Sequence, residues 1–237
     1  MASDDRRRRP TVSLSFAVLA SGRGSNLEAL LEGVHRRPDV PAELVGVVSD
    51  RPDARALAVA RTANVSAACI DRSRFEDRAA FEAVLAATLE GLGADLLVLA
   101  GFMRVLGAAF LRRFAPAVIN VHPSLLPDFP GLDTHARVLA RGDPESGASV
   151  HQVTPEVDGG PVLAQVVVPV RPGDDPERLA ARVLAAEHRL YPEVVRWIAA
   201  GRLVLGDDGP RLDGDPLPPR GRRFRVADDA LDRKSVV

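Results

Sequence analysis

Two side chains near the middle of the sequence have the types and the spacing for acyl chemistry. Asn120 and His122 end an apolar run, in the motif Asn-Val-His-Pro-Ser-Leu-Leu-Pro. Alternate residues of a strand point to the same side, so we expect the two side chains to project together. An amide can donate a hydrogen bond to a developing oxyanion, and an imidazole can exchange a proton near neutral pH. Taken alone, the pattern also fits an ordinary strand end with a hydrogen-bonded histidine.

A third polar side chain, Asp158, lies in the turn Val157–Pro161, which reads Val-Asp-Gly-Gly-Pro. If this turn folds back over His122, the Asp158 carboxylate orients the imidazole and raises its pKa. The alternative is a solvated aspartate, because Asp before Gly is common in exposed turns. The sequence therefore predicts a three-residue constellation on the condition that the turn reaches the strand end.

A glycine-rich turn, Ser21–Asn26, follows the first apolar run. Glycines let the backbone approach an anion, and the start of the next helix offers free N–H groups and the positive end of its dipole. A dinucleotide site would have a third glycine where this chain has Leu27, which favours one phosphate over a pyrophosphate. The candidate ligands are Gly24, Ser25 and Asn26. The alternative is a helix start with good capping residues.

Glu187 interrupts the apolar stripe of a predicted helix. It follows Leu179 and Val183 at helical spacing, so its carboxylate faces inward. A buried carboxylate is costly unless it has a cation or hydrogen-bond donors. Its partner is therefore either a structural arginine or the ammonium group of a ligand.

An apolar loop, Ala100–Leu106, leaves a buried strand at the same predicted sheet edge. Such a loop can form the wall of a pocket for a flat heteroaromatic ligand, with backbone groups contacting the ligand's edge. Simple core packing gives the same pattern.

Alternating strands and helices position these groups. Near-continuous apolar runs are typical of strands buried on both faces of a parallel sheet, and their alternation with helices predicts right-handed βαβ units. The strands are predicted at Val12–Ala20, Leu44–Ser49, Ala67–Ile70, Asp95–Ala100 and Ala117–Val121, and the helices after Asn26 and at Ala54–Ala63, Arg78–Leu92 and Ala108–Phe114.

The pattern changes in the last third of the chain. Strands Ala148–Thr154 and Val162–Val170 are too close for a crossover helix, which predicts antiparallel pairing. Two helices, Pro176–Leu190 and Glu193–Ala200, are expected next. The predicted fold class is α/β: a Rossmann-like open, mainly parallel sheet with helices on both faces and an antiparallel C-terminal extension.

Length and composition limit the domain organisation. The 237 residues, 46% of them hydrophobic, fit one domain over residues 12–205. We expect an arginine-rich, disordered extension at residues 1–11 and a polar, mobile tail at residues 206–237. No apolar run approaches the length of a membrane span, and no secretory signal is expected.

Charge and rare residues limit the chemistry. A net charge of -1 argues against a nucleic-acid partner. Cys69 is the only cysteine, which excludes intrachain disulfides and suits a reducing cytoplasm. Lys234 is the only lysine and lies in the predicted tail, so a P-loop lysine and a Schiff-base lysine are both excluded.

Five stretches spread over residues 14–205 together resemble the folate-dependent formyltransferase family, in its glycinamide ribonucleotide branch. The run Asn-x-His-Pro-Ser-Leu-Leu-Pro with a later Asp-Gly-Gly-Pro carries the resemblance to the family, and Ser-Gly-x-Gly-Ser-Asn narrows it to the branch. The stretches are Ser21–Asn26, Ala100–Arg104, Asn120–Pro127, Val157–Pro161 and Glu187–Pro192.

The resemblance implies a role for each matching residue. Asn120, His122 and Asp158 match the catalytic residues. Glu187 matches the acid that meets the glycinamide end of the substrate. The residues that match the phosphate-binding segment are Gly24, Ser25 and Asn26, and those that match folate-binding positions are Arg78, Met103, Arg104, Val105, Leu106 and again Asn120.

The resemblance also implies an activity: formyl transfer from 10-formyltetrahydrofolate to glycinamide ribonucleotide in purine biosynthesis, by a cytoplasmic monomer or homodimer. No metal, nucleic acid or membrane partner is expected. The alternatives are formyltetrahydrofolate hydrolase, another folate-dependent formyltransferase, or a non-catalytic nucleotide-binding module. One departure is Asp133, where the family often has a histidine, and the sequence leaves its effect on substrate affinity open.

Overall fold

A computed structural model describes residues 13–114, 117–206 and 208–226. In these residues, the strands of the main sheet are β1 Leu14–Leu19, β2 Ala42–Ser49, β3 Ala67–Cys69, β4 Leu96–Leu99, β5 Val118–His122, β6 Glu145–Gln152, β7 Val162–Pro169 and β11 Arg222–Arg225. These eight strands lie in the order β11-β7-β6-β5-β4-β1-β2-β3. The α-helices are α1 Ser25–Leu30, α2 Arg55–Thr62, α3 Arg78–Gly91, α4 Ala108–Phe114, α5 Thr134–Arg141 and α6 Pro176–Ala199.

Strands β1 to β5 are parallel to one another, in the order β3-β2-β1-β4-β5. Both faces of this region are covered, because Phe16 and Val18 of β1 pack in one core cluster and Ala17 and Leu19 pack in the other. The continuous apolar run that predicted a buried parallel strand is thereby explained. The order reverses between β1 and β4, and in open α/β sheets ligands bind outside the carboxyl ends at such a point.

The antiparallel extension is confirmed. β6 pairs antiparallel with β5 and with β7, so the sheet is mixed on this side. The predicted α/β class, with a mainly parallel sheet and covered faces, is therefore the observed one.

Helix α6 is longer than the sequence predicts. It runs through Pro192 as one helix, although a proline normally ends or kinks a helix because it has no N–H group. Tyr191 is fully buried and its hydroxyl donates to the carbonyl oxygens of Leu99 (3.0 Å) and Ile119 (3.1 Å). Gly33 makes room for the proline ring, since a Cβ there would lie 2.7 Å from Pro192 Cβ. These tertiary contacts outweigh the local signal.

The sequence analysis also missed α5, and it expected little structure after residue 205. Strands β8 Leu203–Val204, β9 Arg211–Leu212 and β10 Asp215–Pro216 form a small antiparallel sheet, and β11 pairs in parallel with β7. Phe224 of β11 stacks on Trp197 at 5.9 Å between ring centroids. β11 pairs with the backbone N–H and C=O groups along the edge of β7. Composition alone does not reveal this long-range pairing.

The expected disorder of residues 1–11 and the end of the expected tail, from residue 227, lie outside the described residues. Within the described ranges, no helix combines the length and the apolar composition needed to cross a membrane.

Candidate active site

His122, the last residue of β5, is buried between two hydrogen-bond acceptors. Its Nε2 lies 2.9 Å from the carbonyl oxygen of Phe129, and its Nδ1 lies 3.3 Å from Oδ2 of Asp158. A neutral imidazole carries a proton on one nitrogen only, whereas an imidazolium carries one on each and can donate a hydrogen bond to both acceptors. The Asp-Gly-Gly-Pro turn therefore does fold back over the strand end.

Asp158 is held by several contacts. Its backbone is left-handed, with φ of 53°, and its Oδ2 accepts a hydrogen bond of 2.8 Å from the backbone N–H of Gly131. Its other oxygen lies 3.5 Å from Nε2 of His151. The carboxylate thus joins two imidazoles and a backbone donor, and it is not the solvated turn aspartate of the alternative interpretation.

His151 is a candidate functional residue that the sequence motifs do not indicate. It lies directly opposite Asn120 in the antiparallel β5–β6 ladder, and its Nε2 is 3.2 Å from Asn120 Nδ2. Its Nδ1 is 3.0 Å from the carbonyl oxygen of Gln152. The signal that could have found it is the register between β5 and β6, because cross-strand partners have neighbouring side chains.

The pKa of His122 is lowered, whereas the sequence predicts that it is raised. Burial lowers the pKa of His122 below its ordinary value, although the Phe129 carbonyl and the Asp158 carboxylate both act to raise it. Burial raises the pKa of Asp158, but hydrogen bonds from His151 and Gly131 and the nearby imidazole charges outweigh it, and the net shift is downward. The carboxylate is therefore ionised at neutral pH, while His122 gives up its proton more readily than predicted.

A cavity of about 750 Å³ opens beside this cluster. Asn120, His122, His151 and Asp158 all line it, as do the loop Gly101–Leu106 and the segment Gly131–Ala136. Its rim exposes four large apolar side chains, between 52% and 78% exposed: Met103, Val105, Leu132 and Val157. Exposed apolar groups concentrated around one cavity indicate a site for an apolar or aromatic ligand.

Two contacts fix the loop between β4 and α4. Ser21 Oγ accepts a hydrogen bond of 2.9 Å from the N–H of Met103, which joins the loops after β1 and β4. Arg104 pairs with the buried carboxylate of Asp50 at 2.7 Å. Met103, Arg104, Val105 and Leu106 therefore line the cavity on a tethered loop, as the expected pocket wall requires.

His135 and Asp133 also line the cavity, in the turn that starts α5. Burial and the charge of His122 lower the pKa of His135, whose Nδ1 is buried without a partner in the described part of the chain. Asp133 is the exposed N-cap residue of α5, with a left-handed φ of 56°.

The glycine turn lies at the carboxyl end of β1. Gly24 has a φ of 79° and a Cβ there would lie 2.9 Å from Ala56 Cα, so conformation and packing both require glycine. Helix α1 begins at Ser25 with no side-chain cap. The first-turn N–H groups are thus oriented for an anion, as at other helix starts.

Glu187 and Asn26 connect this turn with α6. Asn26 Nδ2 donates a 2.9 Å hydrogen bond to Glu187 Oε2, and Asn26 Oδ1 is buried with no partner among the described residues. Burial raises the pKa of Glu187, and the Asn26 hydrogen bond opposes this shift. Among the described residues an amide, and not the expected arginine, contacts this carboxylate.

Arg78 lies apart from the cavity. It is exposed at the start of α3 and pairs with Glu82 at 3.6 Å, whose Oε1 accepts a 2.7 Å hydrogen bond from Gly107 N–H. The described structure thus brings Asn120, His122 and Asp158 together on the cavity wall, whereas Arg78, Glu187 and the 24–26 turn are not among the lining residues. No cluster of three or more His, Cys, Asp or Glu side chains arranged for a metal ion occurs in residues 13–114, 117–206 and 208–226.

Comparisons with known proteins agree on one family. The family model for formyl transferase matches residues 14–195. The chain is 42% identical over 208 residues to phosphoribosylglycinamide formyltransferase of Escherichia coli (strain K12), covering 88% of this chain and 98% of that protein. It is 39% identical over 193 residues to the trifunctional purine biosynthetic protein adenosine-3 of Bos taurus, covering 81% of this chain and 19% of that protein.

A solved structure of a phosphoribosylglycinamide formyltransferase is also similar to this chain. The phosphoribosylglycinamide formyltransferase of Coxiella burnetii, in complex with CHES, aligns with a TM-score of 0.85 at 43% identity, over 90% of this chain and 99% of that chain.

Proposed function

The chain belongs to the formyl transferase family, and we propose that it transfers the formyl group of 10-formyltetrahydrofolate to the amine of glycinamide ribonucleotide. The product is formylglycinamide ribonucleotide, and the reaction is a step of purine biosynthesis. The named relatives and the neighbouring structure support this activity over the hydrolase alternative. The observation in the chain that carries the proposal is the contact of Asp158 with His122 beside a cavity with an apolar rim.

The formyl folate is the co-substrate and binds in this cavity. Its pteridine packs beside Met103–Leu106, where exposed apolar side chains and a tethered backbone are available. Its formyl group faces Asn120 and His122. Arg78 is kept as a weaker candidate for the folate's outer end, because it reaches this loop only through Glu82 and Gly107.

The ribonucleotide phosphate binds at Gly24, Ser25 and Asn26, where the left-handed glycine and the uncapped start of α1 support an anion. The glycinamide amine contacts Glu187. Asn26 Oδ1, which has no hydrogen-bond partner among the described residues, lies beside Glu187 and supports this arrangement, because a ligand N–H group can satisfy it.

The reaction is an acyl transfer through a tetrahedral intermediate. The amine nitrogen attacks the formyl carbon and forms the new C–N bond. Asn120 donates a hydrogen bond to the oxyanion that the formyl oxygen becomes, and the positive charge of protonated His122 stabilises the oxyanion electrostatically. The C–N10 bond then breaks, and a proton passes from the attacking nitrogen to N10, through a water molecule where the two nitrogens are too far apart for direct transfer.

Asp158 orients His122 and offsets part of the cost of charging a buried ring. It stays ionised throughout, because its own pKa is lowered. Contributions of this kind each amount to about 10²- to 10⁴-fold in rate. A cytoplasmic location and a monomeric or dimeric state remain parts of the proposal.

The test supplies three acceptors separately to the protein and 10-formyltetrahydrofolate, and follows the folate chromophore. Glycinamide ribonucleotide should give rapid turnover, whereas methionyl-tRNA and water alone should give none above background. Turnover with water alone at the same rate would make the protein a hydrolase and overturn the proposal.

A further inference from the structure

One loop contacts both members of the His122–Asp158 pair. This segment, residues 128–133, is called the 128–133 loop below. Phe129 offers its carbonyl oxygen to His122 Nε2 at 2.9 Å, and Gly131 donates its N–H to Asp158 Oδ2 at 2.8 Å. The loop therefore determines where the imidazole and the carboxylate lie relative to each other.

The 128–133 loop has an unusual backbone. Phe129, Gly131 and Asp133 have φ values of 55°, 79° and 56°, so left-handed residues alternate along it. A bulky residue such as Phe rarely adopts this conformation, which costs free energy. It persists only where surrounding contacts impose it.

Two arginines on one face of α5 supply them. Arg137 and Arg141 are one helical turn apart, and their guanidinium carbons lie 5.3 and 4.0 Å from the centre of the Phe129 ring. Arg137 Nη1 donates to the carbonyl oxygens of Pro130 (2.6 Å) and Leu132 (3.2 Å). Arg141 Nη1 lies 3.2 Å from Asp128 Oδ1.

These contacts span the loop. Arg141 holds its first residue and the ring of its second, and Arg137 holds carbonyl groups on either side of Gly131. Arg141 is also fixed from the other side by Asp143, at 2.5 Å. Cation–π contacts and hydrogen bonds from planar guanidinium groups are directional, so they suit a positioning role.

We propose that Arg137 and Arg141 are positioning residues, which hold the 128–133 loop in its left-handed conformation and thereby orient His122 and Asp158 for catalysis. The proposal rests on the proposed function for its effect on turnover. Its structural part, the orientation of His122, is measurable without substrate.

The first experiment uses Arg141→Met in the full-length protein. The His122 ring is titrated by NMR in the absence of ligands, with the resonance assigned by a His122→Gln variant. His122 is faced by Asp158, His151, His135 and Arg137, all of which this substitution leaves in place. The pKa of His122 should fall further, because the Phe129 carbonyl that raises it is released.

Turnover is measured on the same variant. We expect kcat to fall about 10-fold or more, since small misplacements of catalytic groups have effects of this size. KM for either substrate should change less than kcat. Arg137→Met should lower kcat similarly. For Arg137→Met only kcat is compared, because loss of the Arg137 charge by itself raises the pKa of His122.

The matched control is Arg61→Met. Arg61 lies in the last turn of α2, which has eight residues like α5, so both arginines lie near the C-terminus of a short helix. This control should leave both kcat and the pKa of His122 at the wild-type values.

A double-mutant cycle tests whether Arg141 acts on His122 through its contact with the Phe129 ring. Phe129→Leu keeps an apolar side chain but removes the ring contact, and it also replaces Arg141→Met as the test variant if the latter does not fold. The effects of the two substitutions on kcat should be strongly non-additive if both act through the same contact. Additive effects would overturn this route.

The outcomes separate the two proposals. A shifted His122 pKa with unchanged kcat supports the positioning role and overturns the catalytic role of His122. An unchanged His122 pKa and unchanged kcat in a folded Arg141→Met protein overturns the positioning proposal. Wild-type kcat in Arg137→Met removes Arg137 from it.

Discussion

The end of β5 and the start of α1 are organised in opposite ways. At the end of β5, His122, Asp158 and His151 all contact protein groups. At the start of α1, Asn26 Oδ1 is buried without a partner in the described chain, and Glu187 is a buried carboxylate with one amide contact. The first region is complete before any ligand arrives. The second has free hydrogen-bonding capacity, so we expect the chemistry at the end of β5 and the binding of the ribonucleotide at the start of α1.

The largest effect should come from the region that is complete. We expect His122→Ala to lower kcat by about 10²- to 10⁴-fold, because the positive charge that stabilises the oxyanion is lost. KM for glycinamide ribonucleotide should change little, since His122 does not contact the phosphate turn. Steady-state kinetics with a thermal melt to verify folding make the measurement. A variant with wild-type stability and undiminished kcat would break the division between the regions.

Asp158→Asn should change the pH dependence as well as the rate. The Asp158 carboxylate raises the pKa of His122, so its removal lowers that pKa further. If protonated His122 is the active form, kcat/KM declines as pH rises through this pKa, and the decline should begin at lower pH in the variant. We expect kcat to fall by about 10²-fold or more. A decline that stays at the wild-type pH contradicts the role of the pair.

Glu187→Gln should affect binding more than chemistry. The substitution keeps the shape of the side chain and an oxygen that can accept from Asn26, but it removes the charge that we propose contacts the substrate amine. KM for glycinamide ribonucleotide should rise about 10-fold, because hydrogen bonds to a charged group contribute about 1.5 kcal/mol or more. The folate KM should stay unchanged.

The same variant has a stability signature with a defined sign. The raised pKa of Glu187 means that its ionised form is disfavoured in the folded state, so this group reduces stability increasingly as pH rises from below its ordinary value through the folded pKa. Glu187→Gln should therefore unfold at higher temperature than the wild type near neutral pH, and this difference should shrink on acidification. A constant difference across pH would argue against a buried, charged Glu187.

The smallest effect should distinguish two glycines of one turn. Gly24→Ala places a Cβ 2.9 Å from Ala56 Cα at a φ of 79°, whereas Gly22→Ala meets nothing within 4 Å. We expect the first to cost about 1–2 kcal/mol of stability and to raise KM for the ribonucleotide. The second should change neither by more than a small amount. Equal effects would mean that the turn conformation does not matter for binding.

Local patterns in the sequence were sufficient to predict the parallel part of the sheet and the edge at which its strands end. The apolar runs of β1, β4 and β5 and the glycine turn are local signals, and they predicted the sheet edge on which the candidate residues lie. Asp158 required one further assumption, that its turn reaches β5. The structure satisfies this assumption through contacts with His122 and Gly131.

Other features depend on partners far away in the sequence. His151 becomes relevant only through the β5–β6 register, which places it opposite Asn120. Helix α6 continues through Pro192 because Tyr191 and Gly33 make tertiary contacts there. The net pKa of His122 depends on burial as well as on the charge of Asp158, and the sequence analysis considered the charge alone.

The hydroxyl of Tyr191 bridges the neighbouring strands β4 and β5, one residue before Ala100 and one before Asn120. Glu187 lies about one turn earlier on the same helix and contacts Asn26. Helix α6 therefore contacts both regions, and its position sets the distance between the turn proposed to bind the phosphate and the strand end proposed to carry the chemistry. A rotation of α6 about its axis would change both sets of contacts together, so the two regions are mechanically coupled through one helix.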